Sequence, residues 1–351
     1  MTERRVHLDA LRVLAIFFVV MNHTGYAGQL YYLHIHEQPL HWLLMGFSAL
    51  HKTAVPLFLM VSGALLIGKE ESFAQLFRKR ILRFALVLLL FSLLGYLVEI
   101  RENLSDFNYY YFLTNLYSYR LVDSYWYLYC YLGYLLVLPF LRRLGSAMRD
   151  RDYLYLVLLW LVFKGVDLLP IFVLGEQYGQ SETFVLFVLE YSFFFPLMGY
   201  YLETRVDAEQ FSRKNAWLAA LAMLLVTCLM CLATERWCAF RGEWPAIAGE
   251  VTFGALNFVS ALALYFIAKT LFLRHPAPAW LSGALRVLGA CSFGLYLLQH
   301  YFLAWLRPVY TALSPAIGSY PACLVWVLCI CLAGSAVTLL LKQIPGLKKL
   351  I

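Results

Sequence analysis

The chain has 351 residues, of which 62% are hydrophobic and only 14% are charged. A soluble domain carries about 25% charged residues, so the composition excludes an ordinary soluble enzyme or binding domain. The formal net charge of +7 reflects lysine and arginine in the connections between apolar runs. It requires no nucleic-acid partner.

Long apolar runs, separated by short charged stretches, recur along the whole chain. Each is close to the ~20 residues that a helix needs to cross the hydrocarbon of a bilayer. The alternating segments typical of a membrane β-barrel are absent. The sequence therefore predicts an all-α, polytopic integral membrane bundle of about ten transmembrane helices, near 8–27, 42–67, 81–100, 124–141, 153–174, 182–202, 214–235, 251–273, 281–306 and 319–341.

Most lysine and arginine residues in the connections fall on one side of the predicted bundle. The positive-inside rule then predicts that both termini are cytoplasmic. We expect residues 1–351 to form a single membrane-embedded domain in contact with lipid, with no appended soluble domain. The sequence leaves open whether the protein is a monomer or a homo-oligomer.

The first apolar run, LRVLAIFFVVMNHTG, contains Arg12 and His23. Eleven helical positions place His23 within ~20° of Arg12 and ~16 Å further along the axis. Asp9 precedes Arg12 by three residues and shares that side. Ionisable groups within a span usually face the bundle interior or a polar path. The alternative is that Arg12 snorkels to the inner headgroups and His23 lies near the outer surface, which does not explain a shared face.

The second run, HKTAVPLFLMVSGALL, places Lys52 ahead of Pro56, and Ser62 directly before Gly63. Proline and glycine predict a broken or kinked helix, which is tolerated in a membrane where the backbone lines a cavity. The alternative is ordinary helix packing through small residues. Lys52 and Pro56 favour the cavity.

Two further segments carry candidate functional residues. FRKRILRF crowds Arg80 and Arg83 at one end of the third run, where they either follow the positive-inside rule or clamp a phosphate. SYWYLYCYL begins the fourth run, and we predict that Tyr125, Trp126 and Tyr127 anchor the helix at the membrane interface.

No metal site is predicted. Cys228 and Cys231 have the spacing of a zinc-binding pair, but no second pair of ligands accompanies them. His34, His36 and His41 lie in a connection without an adjacent cysteine or carboxylate cluster.

The sequence resembles membrane acyltransferase family 3, bacterial inner-membrane O-acyltransferases that modify cell-surface glycans and lipids. LDALR, followed by His23, is similar to the family's opening signature, and VPLFLMVSG to its second block. RILR, from Arg80 to Arg83, is similar to its paired-arginine motif, WYLYCYLGYLLVLPFL to its fourth-helix block and SFGLYLLQH to its penultimate-helix block. Gln299 stands where the family often has histidine, and His300 follows it.

The resemblance implies an O-acyltransferase, most simply an O-acetyltransferase. It would move an acyl group from cytoplasmic acyl-CoA, most simply acetyl-CoA, to a hydroxyl of a cell-surface or lipid-linked glycan at the outer face. His23 would act as general base or carry the acyl group briefly. Arg12, Arg80 and Arg83 would hold the phosphates of the coenzyme.

Four residues are expected to support this site: Asp9, Lys52, Ser62 and Tyr296. Asp9 would orient or neutralise Arg12, and Lys52 and Ser62 would form the cavity wall or stabilise an oxyanion. The alternative function is a transporter or flippase for a polyanionic or lipid-linked sugar, because intramembrane charges also suit a transport path. Internal symmetry would favour transport, and none is evident.

Overall fold

A computed structural model describes residues 5–176 and 186–351. Every regular element in these ranges is helical, which confirms the all-α fold class. Residues 182–185 of the predicted sixth span, and the basic residue Arg4, lie outside the described ranges. The α-helices are α1 Val6–Asn22, α2 Leu40–His51, α3 Ala54–Leu66, α4 Phe73–Leu76, α5 Leu82–Glu99, α6 Tyr109–Ser118, α7 Trp126–Ala147, α8 Asp150–Phe163, α9 Leu169–Leu174, α10 Tyr191–Thr204, α11 Arg213–Arg241, α12 Ala248–Arg274, α13 Ala279–Trp305, α14 Arg307–Ile317, α15 Ser319–Leu341 and α16 Pro345–Lys348.

Within the described ranges, eight helical segments are long and apolar enough to cross a membrane. Helices α1, of 17 residues, and α10, of 14, correspond to the first and sixth predicted spans. At 1.5 Å per residue α1 is about 26 Å long, close to the ~30 Å of the hydrocarbon layer. The result agrees with the prediction of about ten spans. The cytoplasmic position of both termini stays a prediction.

Helix α1 is the centre of the bundle. It packs against α3 and α13, and also against α2, α12 and α15. Leu11, Ala15 and Val20 on α1 are at most 1% exposed, whereas Leu221 and Leu225 on α11 are more than half exposed and suited to contact lipid. His7 and Asp9 on the same helix are 6% and 3% exposed, so these two ionisable groups lie inside the bundle, where such groups are tolerated in a membrane.

The backbones of α3 and α10 touch at two glycines. A Cβ atom on Gly63 would lie 1.9 Å from the carbonyl oxygen of Pro196, and one on Gly199 would lie 2.0 Å from that of Met60. Only glycine fits at either position. Small-residue packing thus accounts for Gly63 and holds α3 in place beside α1.

The second predicted span is broken at Lys52, between α2 and α3. Pro56 has no N–H to bond the carbonyl of Lys52, four residues earlier. Instead, Asn257 donates its side-chain amide to the Lys52 carbonyl at 3.3 Å, and Asn22 donates to the His51 carbonyl at 2.8 Å. Amides from two other helices therefore satisfy backbone groups that the break leaves free. The prediction of a broken helix is confirmed.

Candidate active site

Two cavities lie along the central helix and share the lining residue Tyr127. We call the one that contains Arg12 the lower cavity, with a volume of about 220 Å³. The one that contains His23 is the upper cavity, with a volume of about 770 Å³. The polar residues of the lower cavity are Arg12, Ser62, Lys79, Arg80, Arg83 and Ser292. The charged and imidazole groups of the upper cavity are His23, Lys52, Arg120, Asp123, Glu190 and Glu250.

Two of the lower-cavity cations are backed by buried carboxylates. Arg12 donates from Nη1 to Oδ1 of Asp9 at 3.0 Å, as the three-residue spacing predicted. Arg80 donates from Nε to Oε2 of Glu71 at 3.1 Å. The side chains of Asp9 and Glu71 are only 5% and 4% exposed. Each carboxylate therefore holds its guanidinium from behind, while the guanidinium faces the cavity.

The other two lower-cavity cations, Lys79 and Arg83, form no ion pair within the described ranges. Arg83 donates from Nε to the backbone carbonyl of Leu350 at 3.1 Å. A π-helical turn at Phe77–Ile81 joins α4 to α5 and carries Lys79 towards the cavity. Such turns are frequent at functional sites. The lower cavity thus has an excess of positive charge that suits an anionic ligand.

Glu71 is anchored by a second arginine that the sequence analysis missed. Arg142 donates to Oε2 and to the carbonyl oxygen of Glu71, both at 3.1 Å, and to the carbonyl of Leu66 at 3.1 Å. Burial alone would raise the pKa of Glu71, but hydrogen bonds from Arg80 and Arg142 outweigh it and lower that pKa. Glu71 therefore stays ionised at neutral pH and fixes Arg80 at the cavity.

His23 lies at the C-terminal end of α1 and lines the upper cavity. Its Nδ1 lies 2.8 Å from the carbonyl oxygen of Val19. Because a carbonyl only accepts, Nδ1 carries the proton and donates it. In the neutral ring, Nε2 then keeps its lone pair, and no described residue forms a hydrogen bond with Nε2. This tautomer is the one that a general base requires.

The predicted supporting residues divide between the two cavities. Lys52 lies in the upper cavity, where it forms an ion pair with Glu250 of α12. Tyr296 also lines the upper cavity and donates its hydroxyl to the carbonyl of Ser124. Ser62 lines the lower cavity, beside Arg12 and away from His23. Its position corresponds to the cavity-wall alternative.

The interface-anchor prediction for Tyr125, Trp126 and Tyr127 is wrong. Tyr125 is 1% exposed and Tyr127 is 7% exposed, and Trp126 lines the upper cavity. The start of α7 packs inside the bundle, where the rings of Tyr125 and Tyr127 contact Tyr296 of α13. Aromatic residues at a helix end are typical of membrane interfaces, and the sequence signal is the same when that end is buried.

No group of three or more histidine, cysteine or acidic residues within the described ranges is arranged to hold a metal ion. All eight cysteines are free thiols. His41 is buried, with its ring nitrogens 2.9 Å from the carbonyl of Tyr32 and 3.3 Å from the carboxylate of Glu235. The histidines of the first connection therefore do not converge on one site.

The helical bundle and the two polar cavities along α1 define a multi-pass membrane protein with a polar site between its helices. Residues 5–336 match the profile of acyltransferase family 3, an acyltransferase domain. The match spans nearly the whole chain, so the chain belongs to this family and is a membrane acyltransferase. The resemblance seen in the sequence is confirmed. No curated protein and no solved structure is significantly similar to the chain.

Proposed function

We propose that this acyltransferase moves an acyl group, most simply acetyl, from cytoplasmic acyl-CoA to a hydroxyl of a cell-surface or lipid-linked glycan, in the bacterial inner membrane. One observation carries the proposal. Helix α1 presents Arg12 to a cavity lined by four cations and His23 to the adjoining cavity. The donor and the acceptor thus have separate compartments on one helix.

The lower cavity suits the phosphate end of the donor. Its cations, Arg12, Lys79, Arg80 and Arg83, can pair with phosphate oxygens, and the arginines can do so through two parallel hydrogen bonds. The ring of Phe84 lies 4.5 Å from that of Tyr131 and 5.0 Å from that of Phe293, measured between centroids. These rings offer an aromatic wall against which a nucleobase can pack.

The chemistry of transfer follows from the tautomer of His23. Nε2 removes the proton from the acceptor hydroxyl while the hydroxyl oxygen attacks the carbonyl carbon of the thioester. The carbon–sulfur bond breaks, and the coenzyme leaves as a thiolate that takes the proton back from the imidazolium. A second route, in which Nε2 attacks first and carries the acyl group, gives the same products.

The upper cavity suits a polar acceptor. It offers charges of both signs, including Lys52, Arg120 and Glu190, together with the aromatic side chains of Trp126 and Tyr191. Sugar hydroxyls both donate and accept hydrogen bonds, and a few polar groups among aromatic walls can orient them. The larger volume of this cavity, about 770 Å³, leaves room for a sugar unit.

The decisive experiment follows radiolabelled acetyl-CoA in proteoliposomes supplied with the glycan fraction of the source membrane. We expect His23→Ala to reduce transfer of label at least about 100-fold, the typical contribution of a general base. His275→Ala is the matched control, because His275 is exposed, lies 3.2 Å from Arg213 and lines neither cavity.

Normal transfer by the His23→Ala protein contradicts the catalytic role. Movement of sugar across the membrane without label indicates a transporter or flippase instead. Mass spectra of the surface glycans with and without the protein then identify the acyl group from the mass difference and the sugar from its fragments.

A further inference from the structure

The lower and upper cavities share Tyr127 and no other described residue. Tyr127 lies in the first turn of α7 and is 7% exposed. Its ring therefore stands between the compartment that contains Arg12 and the compartment that contains His23. A ligand that reaches from one to the other where the two linings meet passes this ring.

Aromatic contacts hold the ring of Tyr127 from both sides. Its centroid is 5.4 Å from that of Tyr296, edge to face, in the upper cavity. It is 5.9 Å from that of Phe58 and 5.7 Å from that of Tyr131, both of which line the lower cavity. Each contact of this kind contributes about 0.5–1.5 kcal/mol. The contacts therefore favour one position of the ring, and each can be broken at a small cost in free energy.

The hydroxyl of Tyr127 forms no hydrogen bond with any described residue. The neighbouring tyrosines differ: Tyr125 donates to the carbonyl of Leu297 at 2.9 Å, and Tyr296 donates to that of Ser124. Displacing the ring of Tyr127 therefore breaks no hydrogen bond, whereas displacing either neighbour does. Among these three tyrosines, Tyr127 is therefore the one whose ring can be displaced without loss of a hydrogen bond.

We infer that Tyr127 is a partition between the donor and acceptor compartments and that it limits the width of the acyl group that reaches His23. The inference rests on the proposed function, because it assigns the lower cavity to acyl-CoA. The acyl group is attached at the end of the coenzyme arm, so it passes the ring of Tyr127 first. A narrow acetyl group needs a small displacement, and a branched or aromatic acyl group needs a larger one that separates Tyr127 from Tyr296 and Phe58.

The first test measures donor selectivity. The ratio of kcat/KM for benzoyl-CoA to that for acetyl-CoA should rise about tenfold or more in Tyr127→Ala, within the range by which a pocket discriminates on size. Tyr127→Phe keeps the ring and should change the ratio less than about twofold. The matched control is Tyr134→Ala, since Tyr134 is a fully buried tyrosine of the same helix that lines neither cavity.

An unchanged ratio in Tyr127→Ala overturns the inference, and so does an equal rise in Tyr134→Ala or in Tyr127→Phe. The comparison between the two alanine variants removes the effect of a lost buried ring on stability. Each variant is first required to run as a monodisperse protein in detergent.

The second test needs no acyl transfer. Cys130 lines the upper cavity, so the partition predicts that a charged methanethiosulfonate reagent added on the Arg80 side of sealed proteoliposomes reaches it only past Tyr127. Labelling of Cys130, read by peptide mass spectrometry, should be at least about fivefold faster in Tyr127→Ala than in the unaltered protein or Tyr134→Ala. Equal rates overturn the partition.

The two tests separate the inference from the proposed function. If the unaltered protein transfers no acyl group from any donor, the proposed function fails. The labelling rates at Cys130 still decide whether Tyr127 divides the cavities.

Discussion

The lower and upper cavities differ in charge as well as in size. Among the described residues, the lower cavity is lined by cations without a carboxylate, and its two acids, Asp9 and Glu71, lie behind the guanidinium groups that they orient. The upper cavity brings charges of both signs into the space itself, as the ion pair between Lys52 and Glu250 shows.

The difference separates two physical tasks. An excess of positive charge in a small space attracts and orients an anion. Under the proposed function, the mixed charges around His23 suit the transfer of a proton to and from an imidazole. The proposal therefore assigns a binding compartment and a proton-transfer compartment to opposite ends of α1.

Among the substitutions that test this comparison of the two cavities, the largest effect is expected from removing charge in the lower cavity. Arg12→Ala should lower kcat/KM for acetyl-CoA at least about 30-fold, because loss of one partner of a buried charged contact costs about 2–5 kcal/mol. The KM for the donor should rise while the KM for the acceptor stays within about twofold. Arg143→Ala removes an exposed arginine of α7 outside both cavities and serves as the control. A rise in the acceptor KM alone would mean that the lower cavity binds the acceptor and not the donor.

The second prediction concerns the contribution of Glu71, which binds Arg80 behind the lower cavity, to the stability of the protein. Glu71→Gln should destabilise the protein by about 1.5–3 kcal/mol at neutral pH, since it weakens hydrogen bonds from Arg80 and Arg142 to a charged acceptor. Because the pKa of Glu71 is lowered on folding, its contribution to stability is present above the unfolded pKa of about 4.3 and is lost as the pH falls through the folded value.

Thermal unfolding in detergent tests the direction in which the contribution of Glu71 to stability changes with pH. The gap in Tm between the unaltered protein and Glu71→Gln should be full at pH 7 and should narrow below about pH 4. Arg143→Ala should show no such narrowing. A gap that widens on acidification contradicts the assigned direction of the pKa shift.

A smaller effect concerns the helix break beside the upper cavity. Asn257→Leu leaves the carbonyl of Lys52 without its side-chain donor and should cost about 1–2 kcal/mol of stability. The cost should shrink in a Pro56→Ala background, because alanine supplies the N–H that proline lacks. A double-mutant cycle of unfolding midpoints measures the coupling, and strict additivity would show that the amide does not replace the missing donor.

The smallest effect is expected at the ion pair of the upper cavity. The side chain of Glu250 is 63% exposed, and exposed pairs are worth about 0–1 kcal/mol. Glu250→Gln should therefore raise the acceptor KM no more than about fivefold and leave the donor KM unchanged. A larger rise in the donor KM than in the acceptor KM would contradict the assignment of the donor and the acceptor to separate cavities.

Helical periodicity and hydropathy were enough to predict the bundle and the shared face of Arg12 and His23. The apolar runs have the length of membrane spans, and the fixed rotation per residue determines which residues of one helix share a face. The helix break at Lys52 was predictable from Pro56, because proline lacks the N–H that would bond the Lys52 carbonyl. The association of Arg80 and Arg83 with Arg12 came from the family resemblance and not from spacing, because periodicity within one helix says nothing about its neighbours.

The partners supplied by distant helices could not be predicted. Asn257 reaches the Lys52 carbonyl from α12, and Glu71 reaches Arg80 from the connection before α4. The missing N–H of Pro56 indicates that a donor is needed, but not which residue provides it. Tyr127 was misassigned because an inward-facing tyrosine at a helix end has the same sequence signal as an interfacial one.

The single aromatic ring between the cavities also bears on the electrical integrity of the membrane. A continuous wet channel through a membrane protein would let ions leak across the bilayer. The partition that we infer at Tyr127, displaced only while a coenzyme arm fills the gap, would let an acyl group cross while the two cavities stay closed to ions. The same ring would then preserve the ion gradients of the membrane during every turnover.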